Sequence, residues 1–126
     1  MPWMCVALEG AEIVVGPAFH PPHGPCYMCY RMRAVACAGN PEATFAVERH
    51  LDRAKTDLSH KREGLVFGAG IAGNMAGLEV VKMLTGASQP SLIGRLLTVS
   101  LQDLRTQKHT VLKKPMCPAC MSAGNA

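Results

Sequence analysis

Apolar and polar positions alternate toward the two ends of the chain and fall at three- and four-residue steps through its middle. "MCVALEG" (4–10) and "AEIVVGP" (11–17) predict two short strands joined by a turn at Glu9–Gly10, and the proline-rich "AFHPPHGP" after them predicts a loop. "YRMRAVACA" has helical character and stops at Gly39. Asn40 then stands as an N-cap, with Pro41 at the first helical position and Glu42 beside it. Val47, Leu51, Ala54 and Leu58 share one face, so an amphipathic helix is predicted over 41–60. A Gly/Ala-rich helix follows in "EGLVFGAGIAGNMAGLEVVKMLTGA", closed by Thr85–Gly86, with Glu79 and Lys82 as a weak surface pair. "GRLLTVSLQ" and "KHTVLKK" read as a hairpin. The expectation is a small α/β fold, with one modest sheet and two to three helices in a single domain spanning 1–126.

Gly68, Gly70 and Gly73 occur in the order of a dinucleotide-binding fingerprint. A working fingerprint needs a strand before it and an acidic residue about 20 positions on. Here the strand would be only Leu65–Phe67, and no Asp or Glu lies between Glu79 and Asp103. The glycines, with Ala69, Ala72 and Ala76, are better read as small residues that let a buried helix approach its neighbour.

Two Cys-x-x-Cys pairs bracket the chain. Cys26 and Cys29 lie in "GPCYMCYRMRAV", and Cys117 and Cys120 in "KKPMCPACMS". Each tight turn sets two sulfurs on one side, and two such turns complete a tetrahedron around zinc at about 2.3 Å per Zn–S bond. The 87 residues between the pairs must then fold back so that the ends meet. That separation argues against a nucleic-acid zinc ribbon, whose pairs sit roughly 15–20 residues apart. Structural zinc contributes an apparent ~10–16 kcal/mol in small peptides, as much as a whole domain's net stability. The metal-free chain is therefore expected to be unfolded or loosely folded. Iron in the same four-sulfur geometry is one alternative. A redox dithiol is the other, although "CPAC" stands so near the end of the sequence that no long helix follows it to support a nucleophilic thiol. His20 and His23 are expected to be solvent-exposed loop histidines, and Cys5 and Cys37 ordinary small apolar positions.

Charge refines this picture only slightly. Thirteen Lys+Arg against nine Asp+Glu leave a net +4, yet residues 1–30 hold no Lys or Arg and carry Glu9 and Glu12. Basic side chains gather at Arg49, Arg53, Lys55, Lys61 and Arg62, and again at Arg95, Arg105, Lys108, Lys113 and Lys114, a pattern that fits solvated faces. Only six aromatic residues occur, so base stacking on nucleic acid is poorly supported. No basic n-region precedes the N-terminal apolar residues, and Gly64–Leu78, with five glycines, is too short to span a bilayer. A cytoplasmic protein with reduced thiols, and neither a membrane nor a nucleic-acid partner, is expected.

The order of parts resembles a known fold family. A cysteine pair, a helix, a Gly/Ala-rich helix ending "LEVVKMLTG", the strand "GRLLTVSLQD", a basic strand and a final "CPAC" are similar to the zinc-bearing C-terminal half of the ThiF-like adenylating fold. Within it, "VVGPAF" followed by "CYMCYRMR" resembles the cyclodehydratase scaffold proteins of thiazole/oxazole-modified microcin (TOMM) and bacteriocin biosynthesis, which bind a precursor's leader peptide. The resemblance runs from about Val14 to Cys120. It implies structural zinc on Cys26, Cys29, Cys117 and Cys120. It also implies a scaffold that presents a precursor peptide to a YcaO-type, ATP-using partner, which cyclises Cys, Ser or Thr into azolines. The family's nucleotide-binding half and the peptide-clamp domain of microcin scaffolds have no counterpart before Pro17, so neither ATP binding nor adenylation is expected of this chain alone. A homodimer or heteromer is expected to cover the face that the missing half exposes. Two other readings stay open: the C-terminal half of a ThiF/MoeB-like enzyme that adenylates a sulfur-carrier protein, and a truncated reading frame.

Overall fold

The computed structural model describes residues 1–54 and 65–120. In chain order the elements are β1 (Trp3–Glu9), β2 (Glu12–Phe19), α1 (Tyr27–Cys37), α2 (Pro41–Ala54), α3 (Val66–Thr85), β3 (Arg95–Ser100) and β4 (Thr106–Thr110). The strands form one antiparallel sheet in the order β1-β2-β3-β4. This is the small α/β arrangement expected, and it brings both ends of the described chain to the same side of the molecule, where the cysteine pairs meet.

β2 is one of the two interior strands and the most buried, its sequence being apolar from Ile13 to Phe19, with Ile13, Val15, Pro17, Ala18 and Phe19 all buried. Pairing of Ile13 with Val99 and of Val15 with Leu97 sets an apolar layer on one face of the sheet. α3 lies on that face, so that Ala72 joins Ile13, Val15, Leu92 and Val99 in the core, with Leu8, Met75, Ala76 and Leu101 around them. Gly68 sits where a Cβ would stand 2.9 Å from methyl carbons of both Leu8 and Leu101. The expected close approach to a neighbouring element is made at Gly68 and Ala72, whereas Gly70, Gly73 and Gly77 face open space, so α3 is buried on one side. The helix begins at Val66, so no strand precedes Gly68, Gly70 and Gly73, and the three lie on a helix as expected rather than in a phosphate-binding loop. The left-handed Gly86 closes it, its N–H donating to the Lys82 carbonyl.

α1 runs over the opposite face. A groove of about 420 Å³ between them is lined by Tyr30, Ala34 and Cys37 from the helix and by Val14, Leu96 and Thr98 from the sheet. α2, capped by the Asn40 side chain accepting the Ala43 N–H at 3.0 Å, attaches to α1 through an Arg31–Glu48 ion pair. The expected helix end at 55–60, with Lys55, Lys61 and Arg62, lies outside the described residues.

Glu79 departs from the expected surface pair. It is 5 % exposed, and its Oε2 accepts the backbone N–H groups of Ser91 and Leu92 at 2.7 and 3.0 Å while Oε1 accepts Lys82 Nζ at 2.6 Å. Spacing within a helix reveals the Lys82 partner but not a loop twelve residues on. Burial alone would raise the Glu79 pKa, yet these three donors and the Lys82 charge outweigh it and hold the carboxyl below its ordinary value. Glu79→Ala leaves two inward-facing N–H groups without an acceptor and is expected to cost about 2–4 kcal/mol at neutral pH. Because the folded-state pKa is depressed, that contribution is complete above the ordinary carboxylate range and fades as pH falls through the lowered value. Urea unfolding of both proteins at pH 7 and in acid should show the difference shrinking.

Gly16 is required by conformation and by space, since its φ is +89° and a Cβ would lie 2.6 Å from the Arg95 carbonyl oxygen. Gly16→Ala is expected to destabilise by more than 2 kcal/mol, read as a lower denaturation midpoint with unchanged m-value.

Candidate metal centre

The first cysteine pair is built into the start of a helix. Cys26 occupies the N-cap of α1 in extended conformation and Cys29 falls in the first turn, which aims both sulfurs off one end of the helix. The second pair lies in successive turns after β4, entered through Met116 at φ +53°. The expected strand "KHTVLKK" is displaced, for pairing covers Thr106–Thr110 and the chain then turns toward α1. Arg33 draws it there, donating from Nε to the Leu112 carbonyl at 2.7 Å and from Nη2 to the Lys113 carbonyl at 3.4 Å. The Lys114 N–H then points at Cys29 Sγ, 3.3 Å away.

All four cysteines expected as ligands meet in this one place. Sγ–Sγ distances are 3.7 Å for Cys26–Cys29, 3.6 Å for Cys26–Cys117 and 3.7 Å for Cys29–Cys120, and all four sulfurs lie within 4.8 Å of one another. A tetrahedron with arms of about 2.3 Å has edges of about 3.8 Å, so the donor set fits a four-sulfur ion such as zinc. A disulfide requires roughly 2.05 Å, and none of the cysteines is bonded to another. Cys29 and Cys117 are fully buried, with Cys26 and Cys120 partly so. The first pair does open a helix, a setting that activates thiols in dithiol enzymes. Cys29 is nonetheless fully buried among three other sulfurs and a backbone N–H, which leaves it closed to a substrate.

Four thiols this close cannot ionise independently. Burial pushes Cys117 up, but the N–H groups of Cys120 and Ala119 and hydrogen bonds from Cys29 and Cys26 more than offset it and bring the thiol down to about 6. Burial and the company of Cys29, Cys117 and Cys26 push Cys120 up to about 12. The first negative charge is welcomed by donors, whereas the last must form beside anions. A central cation removes that conflict and allows all four to bind as thiolates.

His20 and His23 sit on the neighbouring loop, joined by the His23 N–H donating to the His20 carbonyl at 2.9 Å, and both are exposed and outside the sulfur cluster. Cys5 is partly buried as expected, while Cys37 is exposed at the end of α1 rather than a packed apolar position. Two supports escape sequence reasoning. Arg33 clamps the second pair, and its only signal is its place four residues after Cys29, on the same helical face. An aromatic cluster of Trp3, Phe19, Tyr27 and Tyr30, with Trp3–Phe19 centroids 4.5 Å apart, fastens β1 and β2 to the first turn of α1.

The fold is one that known biosynthetic proteins share. No protein-family model and no curated protein matches the sequence, but solved structures do. The heterocyclase TruD superposes with a TM-score of 0.71 at 24 % identity, over 94 % of this chain and 18 % of its own. A heterocyclase solved with substrate and cofactor gives 0.69 and 25 %, over 94 % and 17 %. MccB of E. coli, solved with ATP, gives 0.67 and 15 %, over 94 % and 31 %. The chain thus has the fold of one part of these proteins and spans about a fifth to a third of their length.

Arg33→Ala should leave the metal stoichiometry intact but loosen the second turn. Expected is release of metal to a chromogenic chelator several-fold faster than from the unaltered protein, with stability reduced by about 1 kcal/mol.

Proposed function

We propose that Cys26, Cys29, Cys117 and Cys120 hold structural zinc, and that the chain is the zinc-bearing, ThiF-like module of a cyclodehydratase scaffold for thiazole/oxazole-modified peptides. It works in the cytoplasm, presents a ribosomal precursor peptide to a YcaO-type subunit, and leaves the ATP-dependent ring closure to that partner. The observation that carries this reading is the coincidence of a tetrahedral sulfur cluster with a fold shared, over 94 % of the chain, with the heterocyclase TruD. A heterocyclase captured with its substrate and cofactor supports a peptide-handling role. In this reading the four clustered cysteines hold the fold, the glycine segment is a packing helix, and the chemistry belongs to the partner.

A second reading draws on MccB, which has been solved with ATP and with MccA. In it the chain is the C-terminal half of a ThiF/MoeB-like enzyme that adenylates a carrier protein, with the nucleotide site elsewhere.

One zinc per chain is expected by elemental analysis of protein purified under reducing conditions, lost together with cooperative unfolding in Cys117→Ser and in Cys29→Ser. Iron, or a folded metal-free protein, would remove the zinc assignment. For the scaffold role, the chain is combined with a candidate YcaO-type subunit, a Cys/Ser/Thr-rich precursor and ATP. Mass spectrometry should show the loss of one water per ring, dependent on the chain, and the chain alone should give no ATP–pyrophosphate exchange. Exchange stimulated by a carrier protein, without ring formation, would favour the second reading.

A further inference from the structure

The four sulfurs of the cluster divide into two that are accessible and two that are closed. Cys29 and Cys117 are 0 % exposed, whereas Cys26 and Cys120 are partly open to solvent. A cleft of about 400 Å³, lined by the Pro21–Pro25 loop and by Lys113 and Ala119, reaches Cys26 and Cys120. A small molecule entering there meets one cysteine of each Cys-x-x-Cys pair. Contacts of 3.6 Å for Cys26–Cys117 and 3.7 Å for Cys29–Cys120 then link each accessible sulfur to a closed one, and both run from one pair to the other.

An accessible thiolate beside a sheltered one is the arrangement of a peroxide-sensitive cysteine and its resolving partner. The sheltered sulfur escapes the oxidant and stays free to resolve. Linkage between the pairs also has an energetic basis. A disulfide within Cys26–Cys29 or Cys117–Cys120 closes a loop of only four residues and leaves the two ends of the described chain unjoined. Either link between the pairs spans 91 positions and constrains the unfolded chain far more. Exchange among four neighbouring sulfurs therefore favours the pairing that keeps the fold closed.

We propose that the cluster is a peroxide-reactive site as well as a structural one. Hydrogen peroxide entering the cleft oxidises Cys120 and Cys26, and the metal is replaced by two disulfides between the pairs, Cys29–Cys120 and Cys26–Cys117, with the fold retained. In the first step the Cys120 thiolate attacks one peroxide oxygen, the O–O bond breaks, hydroxide leaves, and a sulfenic acid stands on Cys120. The Cys29 thiolate attacks that sulfur and expels a second hydroxide. Each of the two sulfurs has given one electron, one peroxide has been reduced to two hydroxides, and two of the four metal ligands have been withdrawn. Cys26 and Cys117 consume a second peroxide in the same way. The inference rests on the zinc reading of the cluster and adds to it an oxidised, metal-free state in which the ends remain joined.

The test uses the whole, zinc-loaded chain carrying Cys5→Ser and Cys37→Ser, which removes the two cysteines outside the cluster. Zinc content is measured before any oxidant is added, and a chain without zinc at that step would overturn the zinc reading and this inference with it. Hydrogen peroxide is then supplied in the presence of a chromogenic zinc indicator, and the product is examined by non-reducing peptide mapping and circular dichroism. Zinc should appear roughly tenfold faster than without peroxide. The mapped links should be Cys26–Cys117 and Cys29–Cys120, and the oxidised chain should still unfold cooperatively, with dithiothreitol and zinc restoring the starting state. A brief exposure to iodoacetamide should label Cys26 and Cys120 ahead of Cys29 and Cys117. Starting from a zinc-loaded chain, links confined within each pair, unfolding as zinc leaves, or zinc retained throughout would each overturn the proposal and leave the zinc reading standing.

Discussion

Contact between the two cysteine pairs is the constraint from which the rest of the architecture follows. Cys26 and Cys117 are 91 residues apart in sequence and 3.6 Å apart at sulfur. Closing so long a loop carries an entropic cost that grows only slowly with length. A four-sulfur ion bound by the folded chain alone would more than repay it. Everything between must then form one circuit: α1 departs from the first pair, α3 crosses the sheet, and β3 and β4 return to the second pair. The sheet offers three apolar strands and a small core, and β4 is exposed throughout. β4 is held by its ladder with β3, and the turns after it by Arg33 and the sulfur cluster.

Around the cluster the support is polar and local. Arg33 fixes the approach of the second pair by taking two carbonyls, and the Lys114 N–H is directed at Cys29. Glu79 does the equivalent at the far end of α3, where one buried carboxylate organises the loop that enters β3. Both are charged side chains used as backbone adapters, binding irregular segments whose N–H and C=O groups have no strand or helix to satisfy them. The expected cost of losing either is therefore set by orphaned backbone groups rather than by the charge itself.

What was legible in the sequence was periodic or spaced. Two Cys-x-x-Cys pairs led directly to the sulfur cluster, Asn40–Pro41 to the start of α2, Thr85–Gly86 to the end of α3, and alternation to the strands. What was not legible depended on partners distant in sequence. Glu79 read as a surface residue because its i+3 neighbour is a lysine, while the donors that bury it are brought by a loop. The glycines of α3 read together as residues of close approach because composition does not say which side of a helix meets the sheet; among them Gly68 makes that approach. Cys37 read as a packed position for the same reason.

That one-sided burial of α3 is itself informative. A helix which needed only to cover this sheet would carry charge on its outer side, as α2 does with Glu42, Arg49 and Asp52. α3 keeps its two charges inward, where desolvation penalises them, and leaves glycine and aliphatic residues to the solvent. Intrinsic propensity runs the same way, because each outward glycine weakens the helix by roughly 1 kcal/mol relative to alanine without relieving any clash in the single copy. The inward Glu79 stabilises the isolated chain through its three donors, whereas the outward glycine and aliphatic residues do not. The outward residues become favourable only where a second surface approaches closely enough to need the space that a Cβ would fill.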